Sequence, residues 1–201
     1  MTQATARAAS TAATLAGISG ILYSVAFVAV AANLAPGIGL GPSWVILMIG
    51  SLLAGFATAT VYVRVRDVDP TVAVASLIAG GVGAAGAVLH AGYEIGLSFH
   101  PAANVPSDLP AQVDPRGLAT FGLTGLALLG ISWLMRRSGA FPSGLATLGY
   151  VSGGLLILIW LARLTILTPT NPVVLLVAAV EGLIVNPVWY IWLGRSLAQR
   201  A

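Results

Sequence analysis

The chain alternates between long apolar stretches and short breaks that contain Pro, Gly or charged residues. Six of the stretches are long enough to cross a bilayer as helices, which takes roughly 20 mostly apolar residues each. None shows the two-residue alternation of a membrane β-barrel. We therefore predict an all-α transmembrane helical bundle that forms a single domain over residues 1–201. Its predicted spans cover 12–32, 43–63, 71–99, 118–135, 143–167 and 173–193.

The longest break, residues 100–117, contains four prolines and two aspartates. Proline lacks a backbone donor and two aspartates are costly in lipid, so this segment cannot be a span. We predict that it forms an external loop over one mouth of the bundle.

Composition supports lipid as the main solvent of the chain. Of the 201 residues, 58% are hydrophobic and 7% are charged, whereas a soluble domain carries about 25% charged residues. The net charge of +3 is the balance of nine arginines and six acidic residues. The arginines are spread along the chain without a patch, so no nucleic-acid partner is predicted. The absence of cysteine excludes disulfides, thiolate catalysis and Cys-ligated metals.

The arginines predict an orientation in the membrane. In the short loops and chain ends, one side of the predicted bundle holds seven of them: Arg7, Arg64, Arg66, Arg136, Arg137, Arg195 and Arg200. The other side holds only Arg116, in the long loop. Because arginine-rich loops stay in the cytoplasm, we predict both termini there and a multi-pass protein of the plasma membrane.

The first span could also be a cleaved signal peptide, because a small-x-small pattern stands at residues 29–31. Its apolar run is longer than an ordinary signal sequence, which favours a retained span.

Small residues and one proline predict how the helices pack. Ala79, Gly83 and Ala87 repeat every four residues and predict a groove for a neighbouring helix. Pro187 is expected to free the carbonyl of Leu183 and to bend the last span. Beyond it, the aromatic residues at 189, 190 and 192 are expected to lie at the cytoplasmic interface.

Four ionisable residues lie within the predicted spans: His90, Glu94, Arg163 and Glu181. Such residues are costly in lipid and usually face the bundle interior and pair with one another. At 1.5 Å per residue, Glu94 and Arg163 lie roughly 7–8 Å from the outer ends of their helices, and His90 and Glu181 roughly 13 Å. We therefore predict two layers, in which Glu94 pairs with Arg163 and His90 pairs with Glu181.

Neighbouring side chains complete the predicted site. His90 and Glu94 are four residues apart and share one helix face. Tyr93, Trp160 and Asn186 are assigned to binding together with Arg163. Two structural alternatives remain open, in which Arg163 extends to the outer interface or only ties two helices together through Glu94. No His-Glu-x-x-His motif is present, so we predict no metal site. The sequence does not identify whether a cofactor is bound, or which one.

Three segments resemble a known family: "AGISGILYSVAFVAV" at 16–30, "SGAFPSGLATLGYVSGGLL" at 138–156 and "NPVWYIWLGRSL" at 186–197. Together they resemble an uncharacterised bacterial family of six-helix integral membrane proteins, a domain of unknown function. The resemblance implies the six-helix architecture and assigns no chemistry to any residue.

Three functions fit these patterns. The first is binding, and transport, of a lipophilic or amphiphilic small molecule or of protons in an intramembrane polar cavity. The second is an isomerase, cyclase or hydrolase for a lipid-soluble substrate, with His90, Glu94 and Glu181 in acid–base roles, because no Gly-x-Ser-x-Gly nucleophile motif is present. The third is an accessory subunit of an oligomer or a larger membrane complex.

Overall fold

A computed structural model describes residues 2–31, 41–100, 115–166 and 171–199, nearly all of which lie in helices. Six helical segments in these ranges are long and apolar enough to cross a membrane, which confirms the predicted fold class. The first five are α1 (Gln3–Ala31), α2 (Gly41–Val65), α3 (Pro70–Phe99), α4 (Pro115–Ser138) and α5 (Ser143–Thr165). The sixth span consists of α6 (Pro172–Val180), a π-helical turn (Glu181–Val185) and α7 (Asn186–Ala198). Most of the predicted 100–117 loop lies outside the described residues.

The breaks in the sequence act as helix starts and stops. The Asp69 carboxylate accepts hydrogen bonds from the backbone N–H groups of Thr71 and Val72, both at 3.0 Å, and caps α3. Asn171 caps α6 in the same way, with its side-chain oxygen 3.0 Å from the N–H of Val173. Gly139 takes a positive φ of 62° between α4 and α5, a conformation that favours glycine.

The helices form a ring in chain order. Each helix packs on the next, and α7 packs on α1 to close the ring. Gly194, near the end of α7, lies against Ser10 and Thr14, near the start of α1. The two ends of the chain therefore lie at the same end of the bundle. The seam between α5 and the sixth span is the most thinly packed of the six.

The apolar core fills only one half of this ring, the end that holds both chain termini. It is built by early α1, late α2, early α3, late α4, early α5 and late α7, with Val61, Leu134, Leu145, Trp189 and Leu193 fully buried. Tyr190 is 6% exposed in the same cluster. The prediction that Trp189 and Tyr190 face the membrane interface is therefore wrong, because Trp189 packs against Gly149 of α5 and Tyr190 lies beside Thr58 of α2. Trp192 is partly exposed.

Small residues allow the close packing of α3 that the sequence predicted. Gly83 and Ala87 are buried as expected, but Ala79 is only half-buried. The buried stripe continues through Gly80 and Ser76 instead, because α3 packs against α2 on one side and α4 on the other.

We predict that Gly17→Ala destabilises the fold. A Cβ at residue 17 would lie 2.7 Å from the carbonyl oxygen of Pro187 and 2.8 Å from the Ile191 side chain. The carbonyl cannot move aside without shifting α7, so we expect a loss of about 1–3 kcal/mol. Thermal unfolding in detergent measures this effect.

Gly154→Ala is the matched control, because a Cβ there meets nothing within 4 Å. Alanine is the better helix former, so the control should be neutral or slightly stabilising. Equal destabilisation by the two changes would contradict the close contact between α1 and α7.

Candidate functional site

The other half of the ring borders a cavity of about 420 Å³, which extends to core residues such as Leu128 and Leu156. This volume lies within the range of roughly 300–1,000 Å³ that small-molecule pockets occupy. All six spans contribute to its wall, which is mostly apolar. The polar side chains in that wall are Ser19, Tyr23, Ser24, Ser51, Thr58, Thr120, Thr124, Arg163, Glu181, Asn186 and Tyr190.

Glu181 is the acidic residue of this wall, and it is 3% exposed. Its Oε1 atom accepts a hydrogen bond of 2.5 Å from the hydroxyl of Ser152, which is fully buried on α5. The amide Nδ2 of Asn186 donates to the same hydroxyl oxygen at 3.3 Å. The three side chains therefore form a directed chain of hydrogen bonds, from Asn186 to Ser152 to Glu181, across the thin seam.

The π-helical turn makes this chain possible. In an α-helix, residues five apart point about 140° away from each other. In the turn Glu181–Val185, the N–H of Asn186 donates to the carbonyl oxygen of Glu181, so one wide turn separates the two residues and places them on one face. The sequence predicted a bend at Pro187. In the structure, the irregularity in the helix is this wide turn, which ends just before the proline.

The second carboxylate oxygen of Glu181 has a different environment. Oε2 exposes less than 1 Å² and has no hydrogen-bond partner among the described residues. Asn186 lies close to the carboxyl group as well, but its hydrogen bond goes to Ser152. A buried polar atom without a partner typically costs about 1–3 kcal/mol, so a donor that reached this oxygen would relieve that cost.

His90 lies elsewhere than predicted. Its ring packs edge-on against Trp44 of α2 at a centroid distance of 5.0 Å, and Trp44 in turn contacts Tyr23 at 5.6 Å. The predicted pairing of His90 with Glu181 is therefore wrong. α3 packs between α2 and α4, whereas Glu181 reaches toward α5.

The predicted pairing of Glu94 with Arg163 is also not formed. Among the described residues, the one ion pair within 4.0 Å joins Arg66 to Asp67 at 3.8 Å. Arg163 instead donates to the carbonyl oxygen of Ile166 at 3.1 Å, at the C-terminal end of its own helix, and lines the cavity. Glu94 is half-buried and close enough to Tyr23 to act on it electrostatically.

Three of the predicted site residues therefore share the cavity: Glu181, Arg163 and Asn186. Tyr93 is half-exposed. Trp160 packs over Gly122, where an added Cβ would meet the indole ring at 2.7 Å. The functional roles assigned to all seven residues stay predictions.

The sequence analysis missed most of the polar side chains in the wall, and Tyr190 and Thr58 are two examples. Tyr190 was placed at the interface, but it lies beside the Thr58 side chain and lines the cavity. One feature of the sequence could have placed Tyr190 in the wall. Tyr190 follows Asn186 by four residues, so the two side chains share one helix face. Nothing in the sequence singled out Thr58, whose hydroxyl also bonds its own helix at Ala54.

Among the described residues, the Glu181 carboxyl group bonds to Ser152 and not to His90, so the predicted pair of His90 and Glu181 is not formed. In the described part of the chain, no three His, Asp or Glu side chains cluster closely enough to hold a metal ion.

Comparison with known proteins found no match: no protein-family model, curated protein or solved structure is significantly similar to this chain. The resemblance to a bacterial membrane family stays a prediction.

We predict that Ser152 and Glu181 are energetically coupled. Ser152→Ala removes the donor to Oε1 and strands the carboxyl group, so we expect a loss of about 1–3 kcal/mol. Glu181→Leu removes the carboxyl group that accepts from Ser152. In the Glu181→Leu background, Ser152→Ala should therefore lower the free energy of unfolding by less. A double-mutant cycle on unfolding in detergent should give a coupling of about 1 kcal/mol or more.

Ser51→Ala is the control for this cycle. The Ser51 hydroxyl donates only within its own helix, to the carbonyl oxygen of Leu47 at 2.8 Å. It should show no coupling to Glu181→Leu. Additive effects of Ser152→Ala and Glu181→Leu would contradict the hydrogen bond across the seam.

Proposed function

We propose that this membrane protein binds a lipophilic or amphiphilic small molecule in the cavity between its six spans. The observation that carries the proposal is the buried acid in the wall of an otherwise mostly apolar cavity of about 420 Å³. Ligand sites in proteins are commonly of this kind, with apolar walls and a few placed polar groups.

The uneven filling of the ring supports this proposal. At one end, Leu, Val and Trp side chains fill the space between the helices. At the other end, Ser, Thr, Tyr, Arg and Glu side chains border a cavity. Ionisable groups at membrane depth are costly and usually mark a substrate or ion pathway. A bundle that needed only stability could continue its apolar packing through both halves.

The seam between α5 and the sixth span is the entrance that this proposal favours. It is the most thinly packed contact of the ring, and Ser152 with Glu181 supplies its central polar contact. A molecule dissolved in the bilayer reaches the cavity by this route without crossing the headgroup region. The packing at this seam thus supports a ligand that partitions into lipid.

The proposal places both ends of the chain in the cytoplasm and the cavity toward the outer face of the plasma membrane. Five of the arginines lie at the end of the bundle that holds the termini, on or beside α2, α4 and α7: Arg64, Arg66, Arg136, Arg137 and Arg195. Arg163 lies toward the opposite end, on the cavity side. This distribution follows the positive-inside rule.

Fusion proteins test this orientation. Green fluorescent protein joined to the C-terminus should fluoresce, and alkaline phosphatase at the same position should be inactive. Phosphatase joined after His100 should be active, because that position follows an odd number of spans. An active phosphatase at the C-terminus would reverse the proposed orientation.

Filling the cavity should abolish ligand retention. Ala87 is 4% exposed and lines the cavity, so Ala87→Phe places a ring in the space that a ligand would occupy. Mass spectrometry of solvent extracts from the purified protein measures what it retains. We expect the unchanged protein to retain a lipophilic compound that Ala87→Phe loses at least tenfold.

Ala85→Phe on the same helix is the control, because Ala85 is exposed on the outer face of α3. This substitution places the same phenyl ring toward lipid, so the variant protein should still retain the compound. Thermal unfolding verifies that each variant is folded, and Ala178→Phe fills the same cavity from the sixth span. Identical extracts from all four proteins would refute the proposal.

A further inference from the structure

The acceptor at Glu181 restricts which molecules fit the cavity, if the cavity binds a ligand as proposed above. Glu181 is 97% buried and one of its two carboxylate oxygens has no partner in the described part of the chain. The other oxygen is already bonded to Ser152. Oε2 is therefore the carboxylate oxygen that has no donor of its own.

The direction of the hydrogen bonds defines what Oε2 offers. Asn186 donates through its amide to the Ser152 oxygen, and Ser152 uses its own proton for Oε1 of Glu181. Oε1 is thus an acceptor in this chain. An ionised carboxylate accepts at Oε2 as well, and a protonated one keeps accepting capacity there beside its O–H. The O–H of a protonated carboxyl group would also donate to a ligand, so the inference concerns the ionised carboxylate, in which a ligand with a donor finds only an acceptor at this atom.

We propose that the ligand is an apolar molecule that carries a hydrogen-bond donor, an amino or hydroxyl group, and that this donor binds Oε2 of Glu181. Less than 1 Å² of this oxygen is exposed, so the donor reaches it as the side chains of the cavity wall shift outward. The thin packing of the adjacent seam permits such a shift. The apolar remainder of the ligand occupies the cavity between α1, α3 and α4.

Replacing Glu181 with glutamine should invert this preference. The glutamine carbonyl oxygen takes the place of Oε1, because Ser152 needs an acceptor there. The glutamine NH₂ group then takes the place of Oε2. Since an amide nitrogen only donates, the position beside the cavity changes from acceptor to donor.

Two compounds of equal chain length test the inference. Dodecylammonium carries donors and no acceptor, whereas 2-dodecanone carries an acceptor and no donor. Native mass spectrometry of the detergent-solubilised full chain, with both compounds at equal concentration, measures which one is retained. We expect the unchanged protein to prefer dodecylammonium by about tenfold or more, the effect of one hydrogen bond to a charged group. Glu181→Gln should prefer 2-dodecanone.

Glu94→Gln is the matched control. It makes the same chemical change on α3, at a residue that does not line the cavity, and should keep the preference for dodecylammonium. The filled variant Ala87→Phe should retain neither compound.

The outcomes separate this inference from the proposed function. Retention of both compounds without preference, or an unchanged preference in Glu181→Gln, overturns the donor inference and leaves the cavity as a binding site. A change of preference in Glu94→Gln also overturns it. Equal retention by the unchanged protein and Ala87→Phe, or no retention by either, overturns the proposed function and the inference with it.

Discussion

The hydrogen bond between Ser152 and Glu181 is the contact on which the cavity-bearing half of this bundle depends. Five of the six seams in the helix ring are packed closely, but α5 meets the sixth span through far fewer contacts. At that seam, a buried hydroxyl and a buried carboxyl group meet at 2.5 Å. Lipid offers no hydrophobic force between helices, so helices in a bilayer associate through close packing and interhelical hydrogen bonds such as this one.

The π-helical turn explains how one helix supplies two partners to the same hydroxyl. Glu181 and Asn186 would diverge in a regular helix, and the wide turn between them brings both to Ser152. Pro187 follows directly and lacks the N–H that a regular turn would use at that position. The site therefore arises from a local irregularity that the backbone adopts where proline already interrupts its hydrogen bonds.

The bundle combines two different kinds of interior. Near the chain ends, apolar side chains and small residues give a filled core in which Gly17 lies directly against the backbone of α7. In the other half, the helices enclose a cavity with polar groups in its wall. Functional sites in general need rigid supporting elements that hold their side chains in place. The filled half of the bundle is the rigid support for Glu181, Asn186 and Ser152 in the other half.

The sequence by itself determined the six spans, because a bilayer permits few ways to satisfy the backbone and each apolar run has the length of a helix. It also identified Glu181, Arg163 and Asn186, since polar groups are conspicuous in apolar surroundings. It did not determine their partners. The depth of a residue along a helix follows from counting, but the direction in which it points depends on which helices are neighbours. The ring order placed His90 against Trp44 and left Glu94 apart from Arg163. The π-helical turn rotated Glu181 toward Ser152. These partners follow from contacts between distant segments, so only the tertiary structure decided them.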